Sequence, residues 1–494
     1  MRPTDTVKAA FTLPFRALGA GALFLARGRL LNQQSGARFA KPREYKSWLD
    51  TRHNGLLVDG QTLSLSETES FQNVCLVARV GAGKTSRFII PNVLNRVDKP
   101  CSLIVNDPKG EVFAATSAAM RKAGYRIIVI DPEHPERSSR FNPLTEMRDD
   151  LELEQIAEIL VRCGNPDDKS SFWNKGAIRF VSLFLKCLKN AARAQNPRLL
   201  SLANLNLLFQ SFGSLGKPLD HFMAHATIDP ANPLDKRLWH EWKGLLTGNP
   251  EGVQSFVLTA LTALSPISNP NIAWLTGESD FQLSELRRQR TVIYFITPPQ
   301  HAEYYAFLTS VFFRSVFNAA MRQMPGKSDL PLYVLYDEFG HSTLPGLVST
   351  ANTIRAYKVS LTIVLQSIAQ LSARYGVAVA DAIQGGFNTA MTYPGSDPET
   401  CLFFERLSGK VRERQRKFLT ATTDTYREFN LMNASDIRTL QPGGTLVVST
   451  NRNPVLIAAK GYFEERRFKK LAAMGAVTMP IRRVHPSEMP MLRL

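Results

Sequence analysis

The chain has five cysteines in 494 residues and no short paired spacing among them. Cys75, Cys101, Cys163, Cys187 and Cys401 sit in mostly apolar surroundings. That scatter argues against a zinc ribbon, a thiol redox pair and a disulfide framework, and it points to a reduced compartment. The eight histidines show no metal-ligand spacing either. A long uninterrupted apolar run is also missing. Residues 9–31 are apolar and rich in small side chains, but Arg16, Arg27 and Arg29 interrupt them. A membrane span needs roughly 20 apolar residues in a row. No small-residue cleavage site follows the stretch, so it does not read as a cleaved export signal. A docking helix, or an amphipathic helix lying on a membrane surface, is the expectation for it. There is no internal repeat and no low-complexity tract.

Negative charge is in deficit as well. Lys and Arg total 60 against 43 Asp and Glu, a formal charge of +17 that favours polyanionic partners. Nucleic acid is the first candidate and an acidic membrane surface the competing one. With 44% hydrophobic residues and this length, the chain exceeds the about 250 to 300 residues at which single cores stop growing. At least two structural units are therefore expected.

Short β-branched runs recur at 73–77, 102–105, 126–130, 291–296, 332–336, 359–365 and 445–449. They are apolar throughout instead of alternating, which predicts a mainly parallel sheet covered on both faces. Between residues 144 and 283 the strand signal stops, and the stretches 151–163, 172–192, 199–212 and 234–246 carry helical spacing. The fold expected is α/β, a sheet domain at 70–147 and 284–465 with an inserted all-α domain at 148–283. Residues 1–69 precede it as a possible docking or membrane-surface segment, and 466–494 follow as a basic tail.

Ala78, Arg79, Val80, Gly81, Ala82, Gly83, Lys84, Thr85 and Ser86 lie between a predicted strand and a predicted helix. That is the context of a P-loop, in which small residues let backbone N–H groups converge on phosphates at a helix start. Lys84 would reach the β- and γ-phosphates of ATP and the Thr85 hydroxyl would ligate Mg²⁺. Ala78 replaces the first glycine of the usual pattern. The apolar run 332–336 ends in Asp337 and Glu338, a carboxylate for the Mg²⁺ shell and one to orient or deprotonate the attacking water. Gln366 closes the run 359–365 at the sheet edge where ligands of open parallel sheets bind. It is a candidate sensor of the γ-phosphate or of the attacking water, with an ordinary strand-end amide as the alternative. Arg355 stands upstream, as a finger for a neighbouring subunit's nucleotide or as a surface ion-pair former. Basic runs bring Arg287, Arg288 and Arg290, then Lys410, Arg412, Arg414, Arg416 and Lys417, and finally 466–470. The first two are candidate phosphate-backbone contacts on DNA, against the plainer reading of solvated faces.

Several segments in order then resemble the TraG-like coupling proteins of conjugation and type IV secretion. They are Asn106-Asp107-Pro108-Lys109-Gly110-Glu111, Phe141-Asn142-Pro143-Leu144, Phe172-Trp173, Asp337-Glu338-Phe339, Leu365-Gln366-Ser367 with Gln370-Leu371 and Tyr375-Gly376, and Gly395-Ser396-Asp397-Pro398-Glu399-Thr400. The resemblance spans roughly residues 70 to 460. It implies RecA-like P-loop ATPase domains assembled as a homohexamer, each with an all-helical domain, using ATP and Mg²⁺ to move DNA without regard to sequence. It also implies relaxase or relaxosome proteins and the inner-membrane components of a type IV secretion system as partners. By the same resemblance Arg355 takes the place of the trans-acting arginine and Gln366 that of the strand-end sensor. The departure is the start of the chain, where family members usually carry a transmembrane anchor. A peripheral position on the cytoplasmic face of the bacterial inner membrane is the expectation that follows. A soluble DNA pump of the FtsK/HerA kind and a nucleotide-regulated substrate-docking adaptor are the alternatives. Asp107 and Lys109 also fit a plain strand-end turn, and Trp173 is expected as a core anchor of the helical domain.

Overall fold

The structure, a computed structural model, describes residues 34–165, 171–212, 217–341, 343–415, 425–485 and 488–493. The apolar stretch 9–31 and the candidate DNA contacts Arg416 and Lys417 lie outside the described residues. The strands are β1 (Gln34–Gly36), β2 (Leu49–Asp50), β3 (Ser64–Leu65), β4 (Val74–Val77), β5 (Ser102–Asn106), β6 (Arg126–Ile130) and β7 (Thr291–Phe295). They continue with β8 (Leu332–Tyr336), β9 (Val359–Leu365), β10 (Thr389–Thr392), β11 (Lys410–Gln415), β12 (Thr425–Asn430), β13 (Gly444–Ser449) and β14 (Val455–Ala458).

Nine of them form one sheet in the order β14-β13-β10-β4-β9-β8-β5-β7-β6. From β10 to β6 every pairing is parallel, and β13 and β14 add antiparallel strands at one edge. Along β5 the side chains alternate between two cores: Ile104 joins one, Leu103 and Val105 the other. Both faces of the sheet are thus covered, which is why its strands are apolar at nearly every position.

Between β6 and β7 the described chain is helical, with helices Asp150–Gly164, Ser171–Ala194, Leu202–Gln210, Lys217–Ala226, Arg237–Leu246, Pro250–Leu264 and Pro270–Leu275. Leu153, Phe180, Phe184 and Leu208 of this region share one continuous core with Ile104, Val334 and Ile363 of the sheet. The buried core thus divides at the sheet into two clusters, one on each face, and the helical region belongs to the cluster on its own side. Helix Ala306–Met321 is the joint, since Phe312 stacks on sheet residue Phe295 at 4.9 Å and meets Phe141 edge-on at 5.2 Å.

The basic tail is docked. Helix Arg466–Ala472 buries Phe468, while Val477 N–H donates to Ser117 at 2.9 Å. Arg482 pairs with Asp280 at 2.5 Å, and Leu492 N–H donates to Asn204 at 2.9 Å in the helical region. The tail so spans both halves. Among the described residues no helix is long and apolar enough to cross a membrane.

Candidate nucleotide site

The buried strand β4 delivers the loop from Ala78 to Gly83, whose Ala78 N–H is held by the carbonyl of Leu365 at 3.0 Å. Gly81 and Gly83 take φ of +78° and +85°, a region that side chains other than glycine's rarely adopt, so the tight turn depends on them. The turn opens directly into a helix at Thr85. Lys84 is buried and donates to the carbonyls of Ala78 at 2.7 Å and Arg79 at 3.2 Å, closing the loop on its own cation. Burial pushes the Lys84 ammonium below its ordinary pKa, against the pull of Asp337 and Glu338.

β8 lies two strands away, with β9 between. At its end the Asp337 carboxylate accepts from the Thr85 hydroxyl at 3.1 Å and from Glu338 N–H at 3.0 Å. Asn106, at the end of β5, donates to the Asp337 carbonyl at 2.7 Å and fixes the turn. Desolvation raises the Asp337 carboxyl to about 6, with the nearby Glu338 charge adding to it. Glu338 itself has φ +51°, a left-handed backbone that costs a non-glycine residue roughly 1 kcal/mol. Such strain is held where the surroundings over-determine it.

The third wall is the segment after β5. Asp107 is buried and accepts from Val112 and Phe113 N–H at 3.2 and 2.7 Å, capping helix Glu111–Lys122. Desolvation lifts its carboxyl to about 7. Together Gly83, Lys84, Thr85, Asp107, Lys109, Asp337 and Glu338 line a cavity of about 200 Å³. An oxygen pair from Thr85 and Asp337 suits a hard divalent cation, and the cavity lies at a helix start with a buried ammonium beside it. Asp107 and Lys109, which also fit a plain strand-end turn, line the cavity wall, and Glu111 joins them there. The signal for them was the shared sheet edge, since β5 is the immediate parallel neighbour of β8.

Gln366 sits at the base of the loop but does not line the cavity. Its N–H donates to the Gln370 side chain at 3.0 Å, and Gln370 packs on Gly340 so closely that a Cβ there would stand 2.6 Å away. Ile368 N–H donates to the Thr400 hydroxyl at 3.1 Å, and Thr400 is braced by Asp397 at 2.6 Å. Tyr375 accepts from Leu344 N–H at 2.9 Å. With Tyr375 stacked on Phe339 at 6.3 Å, these contacts link the segments Asp337-Glu338-Phe339, Gln366-Ser367, Tyr375-Gly376 and Asp397-Pro398-Glu399-Thr400.

Arg355 is exposed and lies before the first residue of β9, whereas the cavity lies past its last. Seven strand residues at about 3.3 Å each put it roughly 20 Å away from its own site. Among the described residues it makes no ion pair. Arg287 requires a correction. Its guanidinium is turned inward onto the carbonyls of Tyr357, Leu330 and Ala320 at 2.5, 3.0 and 3.4 Å, and burial lowers it to about 10. A guanidinium used this way closes strand ends and is not available to DNA phosphates. Arg288 is exposed, and Arg290 lies over the Tyr125 ring at 5.4 Å. Lys410 is exposed on β11; Arg412 pairs with Glu428 at 2.6 Å across the β11–β12 ladder, which also includes the backbone of Arg414. The structure brings none of these cations to the cavity. Trp173 is corrected too: it is 39% exposed and clusters with Phe172 and Phe256 instead of anchoring a core.

Residues 33–480 match the family described as type IV secretory system conjugative DNA transfer. VirD4 proteins of Rhizobium rhizogenes and Agrobacterium fabrum are each 23% identical over 433 residues, covering 82% of this chain and 61% of theirs. The conjugal transfer protein TraG of Rhizobium radiobacter is 23% identical over 342 residues, 67% of this chain and 51% of that one. The chain thus spans about three fifths or less of the curated relatives it matches. Among solved structures the conjugative coupling protein TrwB superposes with a TM-score of 0.68 at 15% identity, over 86% of this chain and 93% of that one. TrwB in complex with ADP and Mg²⁺ gives 0.67 at 16% identity, over 86% and 94%. At such identity the likeness establishes the α/β P-loop fold.

Proposed function

Since the chain belongs to the type IV secretory system conjugative DNA transfer family, we propose that it is an ATP-hydrolysing coupling protein that passes DNA, or protein-bound DNA, to a secretion channel. The observation that carries the reading is the Thr85–Asp337 contact at 3.1 Å, which joins a P-loop to a strand-end carboxylate pair across β9. Thr85 and Asp337 would hold Mg²⁺, and Lys84 would bind the β- and γ-phosphates. The ion and nucleotide together supply the labile anhydride and neutralise its charge. Glu338 orients and deprotonates the attacking water, and Gln366 acts from the neighbouring strand end.

Domain boundaries at 70–147 with 284–465, and at 148–283, belong to the same proposal. So do a homohexameric ring, relaxase or relaxosome and inner-membrane secretion partners, and a peripheral place on the cytoplasmic face of the inner membrane. The ring is supported by Arg355, whose exposed cation lies at the wrong end of β9 to serve its own cavity. In a ring it would reach a neighbour's γ-phosphate and stabilise charge there. Arg355→Ala should bind ATP normally and lose turnover. Mixing it with Lys84→Ala, which lacks a working site but keeps its arginine, should restore part of the turnover. Mixed assemblies that form and stay inactive would rule out the trans-acting role.

A further inference from the structure

Helix Ser171–Ala194 carries two kinds of cation. Lys186, Lys189 and Arg193 in its second half meet Glu154, Asp150 and Asp229 at 2.7, 3.1 and 3.4 Å. Lys175 and Arg179 in its first half are exposed, and among the described residues they pair with no carboxylate. Beside these two, Phe172, Trp173 and Phe256 form a ring cluster with centroids 5.2, 5.4 and 5.5 Å apart. Phe172 is 64% exposed and Trp173 39%, so two large rings face water.

The cluster is built into the fold. A Cβ on Gly176 would stand 2.1 Å from a Phe256 ring carbon, so glycine is what seats the third ring against the helix. Lys175, Gly176 and Arg179 lie three, four and seven residues after Phe172, helical spacings that place the four on one face. Exposed rings and unpaired cations on one face complement a ligand that has flat apolar surfaces and regularly spaced negative charge.

We infer that this face is a docking platform for single-stranded DNA, with bases stacked on Phe172 and Trp173 and phosphates at Lys175 and Arg179. Stacking combined with backbone cations is the sequence-tolerant way to hold a single strand. A duplex keeps its bases stacked on each other and offers this face only phosphates. The inference rests on the DNA-handling function proposed above and names the form of DNA that the helical region takes. None of the four residues lines the nucleotide cavity.

The test uses the full chain with labelled oligothymidylate, an abasic strand of equal length and a duplex, read by fluorescence anisotropy. The Phe172→Ala, Trp173→Ala double variant should bind oligothymidylate at least about tenfold more weakly. Its affinity should fall to that of the abasic strand, while duplex binding and DNA-free ATP turnover hold. Trp173→Phe should keep most of the affinity. Lys175→Glu with Arg179→Glu should weaken oligothymidylate and abasic strand alike and make the salt dependence shallower. A folded double alanine variant that binds oligothymidylate as wild type does would overturn the platform and leave DNA handling standing. Unchanged DNA binding with loss of a protein substrate would overturn it in favour of a protein partner. Wild-type protein that binds no DNA in any form would overturn the functional reading beneath it.

Discussion

Replacing Asp337 by Asn should stabilise the nucleotide-free protein while abolishing its use of Mg²⁺, and the size of the effect follows from burial. Desolvation holds the Asp337 carboxyl at about 6 in the fold against an ordinary value of 3.8. The folded-state pKa is raised, so the associated stability is present in full below about 3.8 and is lost as pH rises through about 6. About two units correspond to roughly 3 kcal/mol. An uncharged Asn escapes that cost and still offers an oxygen to Glu338 N–H and an amide to the Thr85 hydroxyl. The variant should therefore gain roughly 3 kcal/mol at pH 7.5, clearly less at pH 5 and little at pH 4. For a cooperative unit of roughly 300 residues the gain at pH 7.5 is about 5 °C in Tm. The assay is thermal unfolding in a chelator at the three pH values, repeated with Mg²⁺ and a non-hydrolysable ATP analogue. The ligand should raise the Tm of wild type but not of Asp337→Asn. A variant less stable than wild type at pH 7.5, or a gap that does not change with pH, would refute the desolvated-carboxylate account.

Other outcomes follow from the same geometry. Lys84→Ala should lose most nucleotide affinity in a titration with a fluorescent ATP analogue. Glu338→Gln should bind nearly as well as wild type, with turnover down about a hundredfold or more. Arg287→Ala should cost about 2 to 4 kcal/mol in denaturant unfolding, because it strands buried carbonyls. It should leave DNA affinity and its salt dependence unchanged, whereas a steep loss of DNA binding by a fully stable variant would restore Arg287 to the surface set.

Much of this was readable in advance where a single physical demand dominates a segment. The runs at 126–130, 332–336 and 359–365 are apolar because both sheet faces are covered, and they coincide with β6, β8 and β9. β10 was not readable: Thr389–Thr392 is four residues long, and its burial comes from lying between β4 and β13. The basic run from Lys410 lies in β11 over Lys410–Gln415, where Val411 is buried at 5% exposure and Arg412 pairs with Glu428 across the ladder. Arg287 and Trp173 went the other way, one inward and one outward. Composition records that a cation or a ring is present, but its destination depends on carbonyls and helices far along the chain. Asp107 and Lys109 were visible as a segment, yet their place in the cavity wall depends on β5 pairing with β8.

The function proposed for this cavity is ATP hydrolysis in an assembly that acts on DNA. ATP turnover per chain, measured across protein concentrations with and without DNA of unrelated sequences, addresses it most directly. Turnover should climb with concentration as neighbours supply Arg355, climb further with DNA whatever its sequence, and vanish in Lys84→Ala. Turnover per chain that is constant with dilution, indifferent to DNA, or retained by Lys84→Ala would contradict the account.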